Sequence, residues 1–233
     1  MTPDQTSIFR ESGYLLLKGA LGKGKTESVR NHVLEELKRL KIWSSGKTLS
    51  ASIKRAPAFQ QITKLSGLIK QDDLHCRVID EHVLSAITSL AGARVDPVHS
   101  QLLISLPHQG DWTLDGLNWH TDISAADHQR LPGIQAFVLI DDVQPRGGAT
   151  LAIAGSHLLA GREEPSRRLR AILRSSEHLE RELHGYDLSI VEMSGRAGDV
   201  YLMDMRLLHT PSINSTNKVR MMATVRYGLM GQD

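Results

Sequence analysis

From Ser100 onward the chain breaks into short, β-rich runs, and no other feature limits its fold as tightly. The runs are "SQLLISL", "GIQAFVLI", "ATLAIA", "LSIVEM", "DVYLMD" and "KVRMMATVRYGLM", and clusters of Gly, Pro, Asn and Asp separate them. Apolar runs bounded by turn formers read as strands. Many short strands in series pair antiparallel and fold over one another as a sandwich or jelly roll. One charged, helical stretch interrupts them, "REEPSRRLRAILRSSEHLERELHG" at 162–185. Upstream, "GYLLLKG" reads as a short buried strand. Thr26 is placed to cap a helix whose Val29, Val33, Leu37 and Leu40 share one stripe. A second helical pattern runs from about Asp80 to Leu90. The expectation is one domain, 1–233, in which a helical support (1–99) buttresses a jelly-roll core (100–233).

Bulk properties narrow the class. With 40% hydrophobic and 23% charged residues, the 233-residue chain has the composition of a globular protein with a real core. A net charge of +2 gives no reason to expect nucleic acid or a membrane as partner. The single cysteine, Cys76, rules out an internal disulfide and reads as a small buried hydrophobe in a reducing compartment. The opening "MTPDQTSIFRESGY" has neither the basic nor the apolar region of a secretory signal. No apolar run approaches the ~18 residues that span a bilayer. A cytoplasmic protein acting on a small molecule is expected, with its oligomeric state unreadable.

The segment "LNWHTDIS" raises the functional question. In an extended chain, residues two apart point to one side. His120 and Asp122 would therefore converge while Thr121 faces away. With 11 histidines in the chain such a pair also arises by chance, so the other donors decide. His209, between a strand-like run and Pro211, is the best third ligand. Two imidazoles and one carboxylate on one side of an ion leave open positions, as in mononuclear non-haem Fe(II) oxygenases. Arg220, eleven residues further on, could pair bidentately with the distal carboxylate of an iron-bound dicarboxylate.

The ordered set "HTD", "GGATLAIAGSHL" and "GDVYLMDMRLLHTPSINSTNKVR" resembles the phytanoyl-CoA dioxygenase (PhyH) family of iron- and 2-oxoglutarate-dependent oxygenases. The opening "GYLLLKGAL" is similar to that family's first strand. The resemblance implies a double-stranded β-helix of cupin-like type, mainly β with supporting helices. It implies His120, Asp122 and His209 as iron ligands and Arg220 as the anchor of the 2-oxoglutarate C5 carboxylate. Phe137 falls where the family often has an aromatic beside the cosubstrate, although a plain core residue fits equally. Asn214 and Thr216 lie inside the closing motif, which makes Thr216 a further cofactor candidate. Where the family commonly has a small hydroxyl residue, two positions after the distal histidine, this chain has Pro211, with Thr210 or Ser212 as substitutes. Relatives that halogenate replace the ligating carboxylate with a small residue, so Asp122 favours hydroxylation. The implied course consumes O2 and 2-oxoglutarate and releases succinate and CO2.

Other features carry competing readings. Arg226 shares a strand face with Arg220 and is either a substrate contact or a surface ion pair. Trp119, like Trp112, is a packing residue or a pocket wall. His178 and Glu180 form a second His-x-Glu pair, but a helix points such residues apart. His157 has a structural role or an active-site one, and His99 and His108 flank the first roll strand. The run Arg162, Arg167, Arg168, Arg170 and Arg174 is a solvated helix face or a lid for an anionic substrate. Gly19 to Thr26 satisfies the Walker A pattern, and "FVLIDD" resembles a Walker B strand. A nucleotide hydrolase is thus the rival enzyme class, opposed by the antiparallel character expected of the strands. A non-catalytic jelly-roll binding protein is the other alternative.

Overall fold

A computed structural model describes residues 1–44, 46–123, 130–175 and 179–229. Helix α1 (Pro3–Ser12) opens with a capping box between Thr2 and Gln5 and closes at Gly13 with φ +80°. A Cβ at Gly13 would lie 2.5 Å from His157 Nδ1, so only glycine turns the chain here into strand β1 (Tyr14–Leu17). Helix α2 (Lys23–Arg39) follows and buries Val29, Val33 and Leu37 along one stripe. Its N-cap is Gly22, not Thr26. The helix starts a turn earlier than expected, and Thr26 Oγ1 donates 2.9 Å back to Lys23 O. A small hairpin, β2 (Trp43–Ser44) and β3 (Lys47–Thr48), leads to four helices: α3 (Ala51–Lys54), α4 (Ala58–Leu68), α5 (Leu74–Val78) and α6 (Glu81–Ala91). Asp80 caps α6 as a side-chain acceptor for Val83 N, and Gly92 ends it. On α5, Leu74 and Val78 point inward and Cys76 is exposed, correcting its expected burial.

The expected strands are present. They are β4 (Val95–Ser105), β5 (Gly133–Leu139), β6 (Thr150–Ala154), β7 (Ser189–Glu192), β8 (Val200–Asp204) and β10 (Arg220–Leu229), and the short β9 (His209–Pro211) joins them unexpected. They form a five-stranded sheet, β1-β8-β5-β10-β4, and a three-stranded sheet, β7-β6-β9, with every pairing antiparallel. Strand β1 lies at the edge of the large sheet, so residues before Ser100 contribute to the roll as well as supporting it.

Alternation sorts the large sheet into two faces. Ile134, Ala136, Val138, Leu202, Ala223 and Val225 belong to a core shared with Val29, Val33 and Leu65 of the helices. Phe137, Leu139, Tyr201, Met203 and Met222 face the other way and pack with Ala149, Ala152 and Met193 of the small-sheet side. The two sheets therefore close over one another as a jelly-roll core, with most of the helices packed on the outer face of the large sheet. Helix α4 lies along edge strand β4, where Ser66 Oγ donates to Leu102 O, and protects that edge.

This topology excludes the nucleotide-hydrolase reading. A phosphate-binding loop needs a parallel strand–helix sheet, whereas β1 pairs only with β8, antiparallel, among the described residues. The Gly19 N–H is committed to Asp199 Oδ1 at 2.7 Å, and Asp141 is committed to Arg30 at 2.7 Å.

Helix α7 (Glu163–Ser175) and helix α8 (Leu179–His184) cover the outer face of the small sheet. Leu169, Ile172 and Leu183 pack there on Ile153 and Leu208. Arg167 pairs with Glu164, and Arg168 lies 5.4 Å over the Tyr186 ring, so the basic run is largely a solvated face. His178 lies outside the described residues. No described helix is long and apolar enough to cross a membrane.

Candidate metal centre

A cavity of about 580 Å³ lies between the two sheets and helix α4; His120 and His209 line it, and Asp122 meets them at its wall from behind. Their ligand atoms lie within 4.8 Å of one another. His209 comes from β9. His120 sits on no regular strand; it forms a single antiparallel bridge with His209, each N–H donating to the other's carbonyl at 2.9 Å. That reciprocal pair sets the imidazoles side by side, with ring centroids 4.4 Å apart. Asp122 N donates to Met205 O at 3.2 Å and fixes the third donor. Thr121 turns away, into a small pocket shared with Ile123 and Arg206. The expected alternation holds over these three residues without a full strand.

Hydrogen bonds orient each donor. His120 Nδ1 donates to Asn118 O at 2.9 Å and His209 Nδ1 to Leu207 O at 3.1 Å, which leaves both Nε2 atoms to face inward. The Asp122 side chain is 2% exposed. Arg226 Nη2 donates to its Oδ1, while Oδ2 has no hydrogen-bond partner among the described residues and lies 3.7 Å from His209 Nε2. Burial, opposed by the Asp122 charge, pushes the His209 pKa down to about 4. The imidazole is therefore neutral and able to ligate at ordinary pH. Two imidazoles and one oriented carboxylate oxygen with no hydrogen-bond partner among the described residues fit a divalent transition ion.

Arg220 opens β10 at 2% exposure. Its Nη1 donates to Leu103 O at 3.0 Å, but Nε and Nη2 have no partner among the described residues. Burial alone lowers its pKa to about 9. A buried guanidinium with two free donors on a cavity wall is a site for a carboxylate. Phe137 also lines the cavity, its ring edge-on to His209 with centroids 6.0 Å apart.

Other candidates fall elsewhere. Thr216 does not line this cavity; its Oγ1 donates 2.7 Å to Asn214 Oδ1 within the turn before β10. The reason is local, because Asn214 is fully buried and needs that donor. Trp119 packs with Leu208 and Ile153 beyond the small sheet and is not a wall of the cavity. Arg226 does line it, but as the partner of Asp122, so neither the surface ion pair nor a free substrate contact describes it. Thr210 and Ser212 spend their hydroxyls on the carbonyls of Pro211 and Ala149. A hydroxyl residue that does line the cavity on the small-sheet side is Thr150, directly across from Pro211. His157 is buried with Nε2 on Arg10 O at 3.0 Å, a structural role at the α1 turn. His99 lines the cavity, whereas His108 does not.

Sequence reasoning missed Gln101, Gln135 and the α4 residues Phe59, Ile62 and Thr63, all of which line the cavity. Gln135 left a signal, as a lone amide within the buried run "GIQAFVLI".

A two-sheet roll with a histidine–carboxylate–histidine cluster beside a buried arginine is the architecture of non-haem iron, 2-oxoglutarate-dependent enzymes. The chain matches the phytanoyl-CoA dioxygenase (PhyH) family over residues 9–222 and belongs to it. Among curated proteins, none matches the sequence. Solved structures share the fold. SnoK, a non-haem α-ketoglutarate-dependent carbocyclase from nogalamycin biosynthesis, aligns with TM-score 0.64 and 21% identity over 98% of this chain and 84% of its own. The epimerase SnoN, in complex with Fe3+, α-ketoglutarate and nogalamycin RO, gives 0.62 and 18% over 97% and 82%. EctD from S. alaskensis, with 2-oxoglutarate and 5-hydroxyectoine, gives 0.61 and 17% over 98% and 76%.

Proposed function

We propose that this protein is an Fe(II)- and 2-oxoglutarate-dependent dioxygenase that hydroxylates an aliphatic carbon of a small molecule. Substrate, 2-oxoglutarate and O2 give the alcohol, succinate and CO2. The observation that carries this reading is the pairing of a convergent His120–Asp122–His209 donor set with the unpaired donors of Arg220 on one cavity.

In this reading His120 and His209, through Nε2, and Asp122, through Oδ2, would hold the iron. Bound iron would supply O2 activation coupled to decarboxylation of 2-oxoglutarate. Arg220 receives the C5 carboxylate as a charge-assisted pair. Thr150 is placed to supply a further hydroxyl contact. Phe137 presents an apolar surface to the cavity that excludes water beside the cosubstrate. Arg226 positions Asp122 by occupying one carboxylate oxygen, so that the other stays free for the metal. Asp122 leaves no room for a halide in its place, which favours hydroxylation over halogenation. Residues 1–233 are read as one oxygenase domain, and the lone cysteine suits a cytoplasmic setting.

The test is anaerobic titration of Fe(II)-loaded protein with 2-oxoglutarate. A visible charge-transfer band should develop in the parent and be lost in His209→Ala, whose circular dichroism should be unchanged. A parent protein that binds iron but develops no band would overturn the reading.

A further inference from the structure

The inner face of the large sheet has a second polar rung, distinct from the one at Arg220. In the β-ladder Arg226 lies across from Gln135 on one side and from His99 on the other. One step inward, Thr224 lies across from Phe137 and Gln101. Gln135, Gln101 and His99 all line the cavity. Gln135 is 2% exposed, and its Oε1 has no hydrogen-bond partner among the described residues. An unpaired buried acceptor is costly, and a donor on a bound molecule would satisfy it.

The buried guanidiniums on this cavity both have roles assigned. Arg226 pairs with Asp122 through Nη2, leaving only its Nε without a partner among the described residues, and Arg220 is assigned to the cosubstrate. Lys70 lies at the exposed rim, close in sequence to Asp72, which also lines the mouth. No buried cation remains for a substrate anion, and a coenzyme A tail would need a basic cluster for its phosphates. The opposite wall contributes hydrocarbon from Phe59, Ile62, Ile69 and Leu74, set beside the polar side chains of Thr63, Ser66 and Gln71.

Resting on the oxygenase reading above, we infer that Gln135, supported by Gln101 and His99, selects a neutral small molecule. That molecule carries a hydroxyl or amide N–H on a hydrocarbon body, and it is neither a carboxylate nor a coenzyme A thioester. The Gln135 carbonyl oxygen takes the donor, α4 and α5 cover the apolar side, and Gln135 thereby sets which carbon faces the metal.

Saturation-transfer NMR on protein loaded with Zn(II) and 2-oxoglutarate, which cannot turn over, tests this with cyclohexanol, cyclohexanecarboxylate, cyclohexylamine and hexanoyl-CoA at equal concentration. Transfer to cyclohexanol should exceed transfer to the carboxylate and to the hexanoyl chain by roughly fivefold or more, the value of one good hydrogen bond. Gln135→Met should remove that preference while transfer to 2-oxoglutarate persists. Gln135→Glu, which keeps an acceptor and adds charge, should move the preference to cyclohexylamine, and it decides the matter if the methionine variant does not fold. Preference for the carboxylate or hexanoyl-CoA, an unchanged cyclohexanol signal in Gln135→Met, or no transfer to any probe would each overturn the inference and leave the oxygenase reading standing. Absence of transfer to 2-oxoglutarate in the parent protein would sink both.

Discussion

Alternate residues of the same strands build the two faces of the five-stranded sheet, and the faces differ: one buries apolar side chains, while the other sets polar groups among Phe137, Leu139 and Met222. On the helix side, Ile134, Ala136, Val138, Leu202, Ala223 and Val225 are apolar and fully buried. On the inner side, the same strands present Gln135, Arg220, Thr224 and Arg226. Several of their polar atoms have no partner among the described residues, including Gln135 Oε1, Arg220 Nη2 and Thr224 Oγ1. Buried polar groups are normally satisfied, so such a concentration marks where ligands complete the structure. One face supplies folding free energy, and the other spends some of it to stay receptive.

Crossed substitutions should break that division most sharply. Arg220→Leu should weaken 2-oxoglutarate binding roughly 100-fold or more, the scale of a truncated buried charge pair. The thermal midpoint of the cosubstrate-free protein should hold or rise, because an uncompensated buried cation is removed. Leu202→Ala, on the helix side, should cost about 2–5 kcal/mol of stability by denaturant titration and leave 2-oxoglutarate affinity unchanged. A large fall in stability with Arg220→Leu, or in cosubstrate affinity with Leu202→Ala, would erase the distinction.

A smaller effect is expected at Arg226. Arg226→Met should weaken metal binding about 10- to 100-fold in a Co(II) titration, because Asp122 loses the partner that orients it. Arg226→Lys should restore part of it. Unchanged metal affinity would make Arg226 a bystander.

The smallest effect is graded with pH. In metal-free protein His209 is held at about 4 against an ordinary 6.5. Above 6.5 the imidazole is neutral folded or unfolded, so it contributes nothing to the pH dependence. Between 6.5 and about 4 only the unfolded chain takes the proton, and stability should fall by roughly 1.4 kcal/mol per pH unit. His209→Gln should flatten that slope in urea denaturation, whereas Leu202→Ala should lower the whole curve without changing its shape.

The strands were legible because alternation writes burial directly into sequence, and the metal cluster was legible because His120 and Asp122 lie two apart. Partnerships that depend on the third dimension were not. Arg226 reaches Asp122 from a strand whose register with β4 shifts between Arg226 and Tyr227, and no spacing rule carries that shift. Thr216 resembles a ligand contact in the linear motif, yet a buried Asn214 claims its hydroxyl. Helix α4 was missed because its pattern is mixed and its first turn follows Pro57 without a side-chain cap.

Helix α4 also bears on how such a chain diversifies. It protects the β4 edge through Ser66 and anchors itself through Ile62 and Leu65, yet Phe59, Thr63 and Gly67 on the same helix are exposed at the cavity. Exchange at those three positions would recut the entrance for new molecules while sparing the anchors. Selection can thus retool what enters without renegotiating how the polypeptide folds.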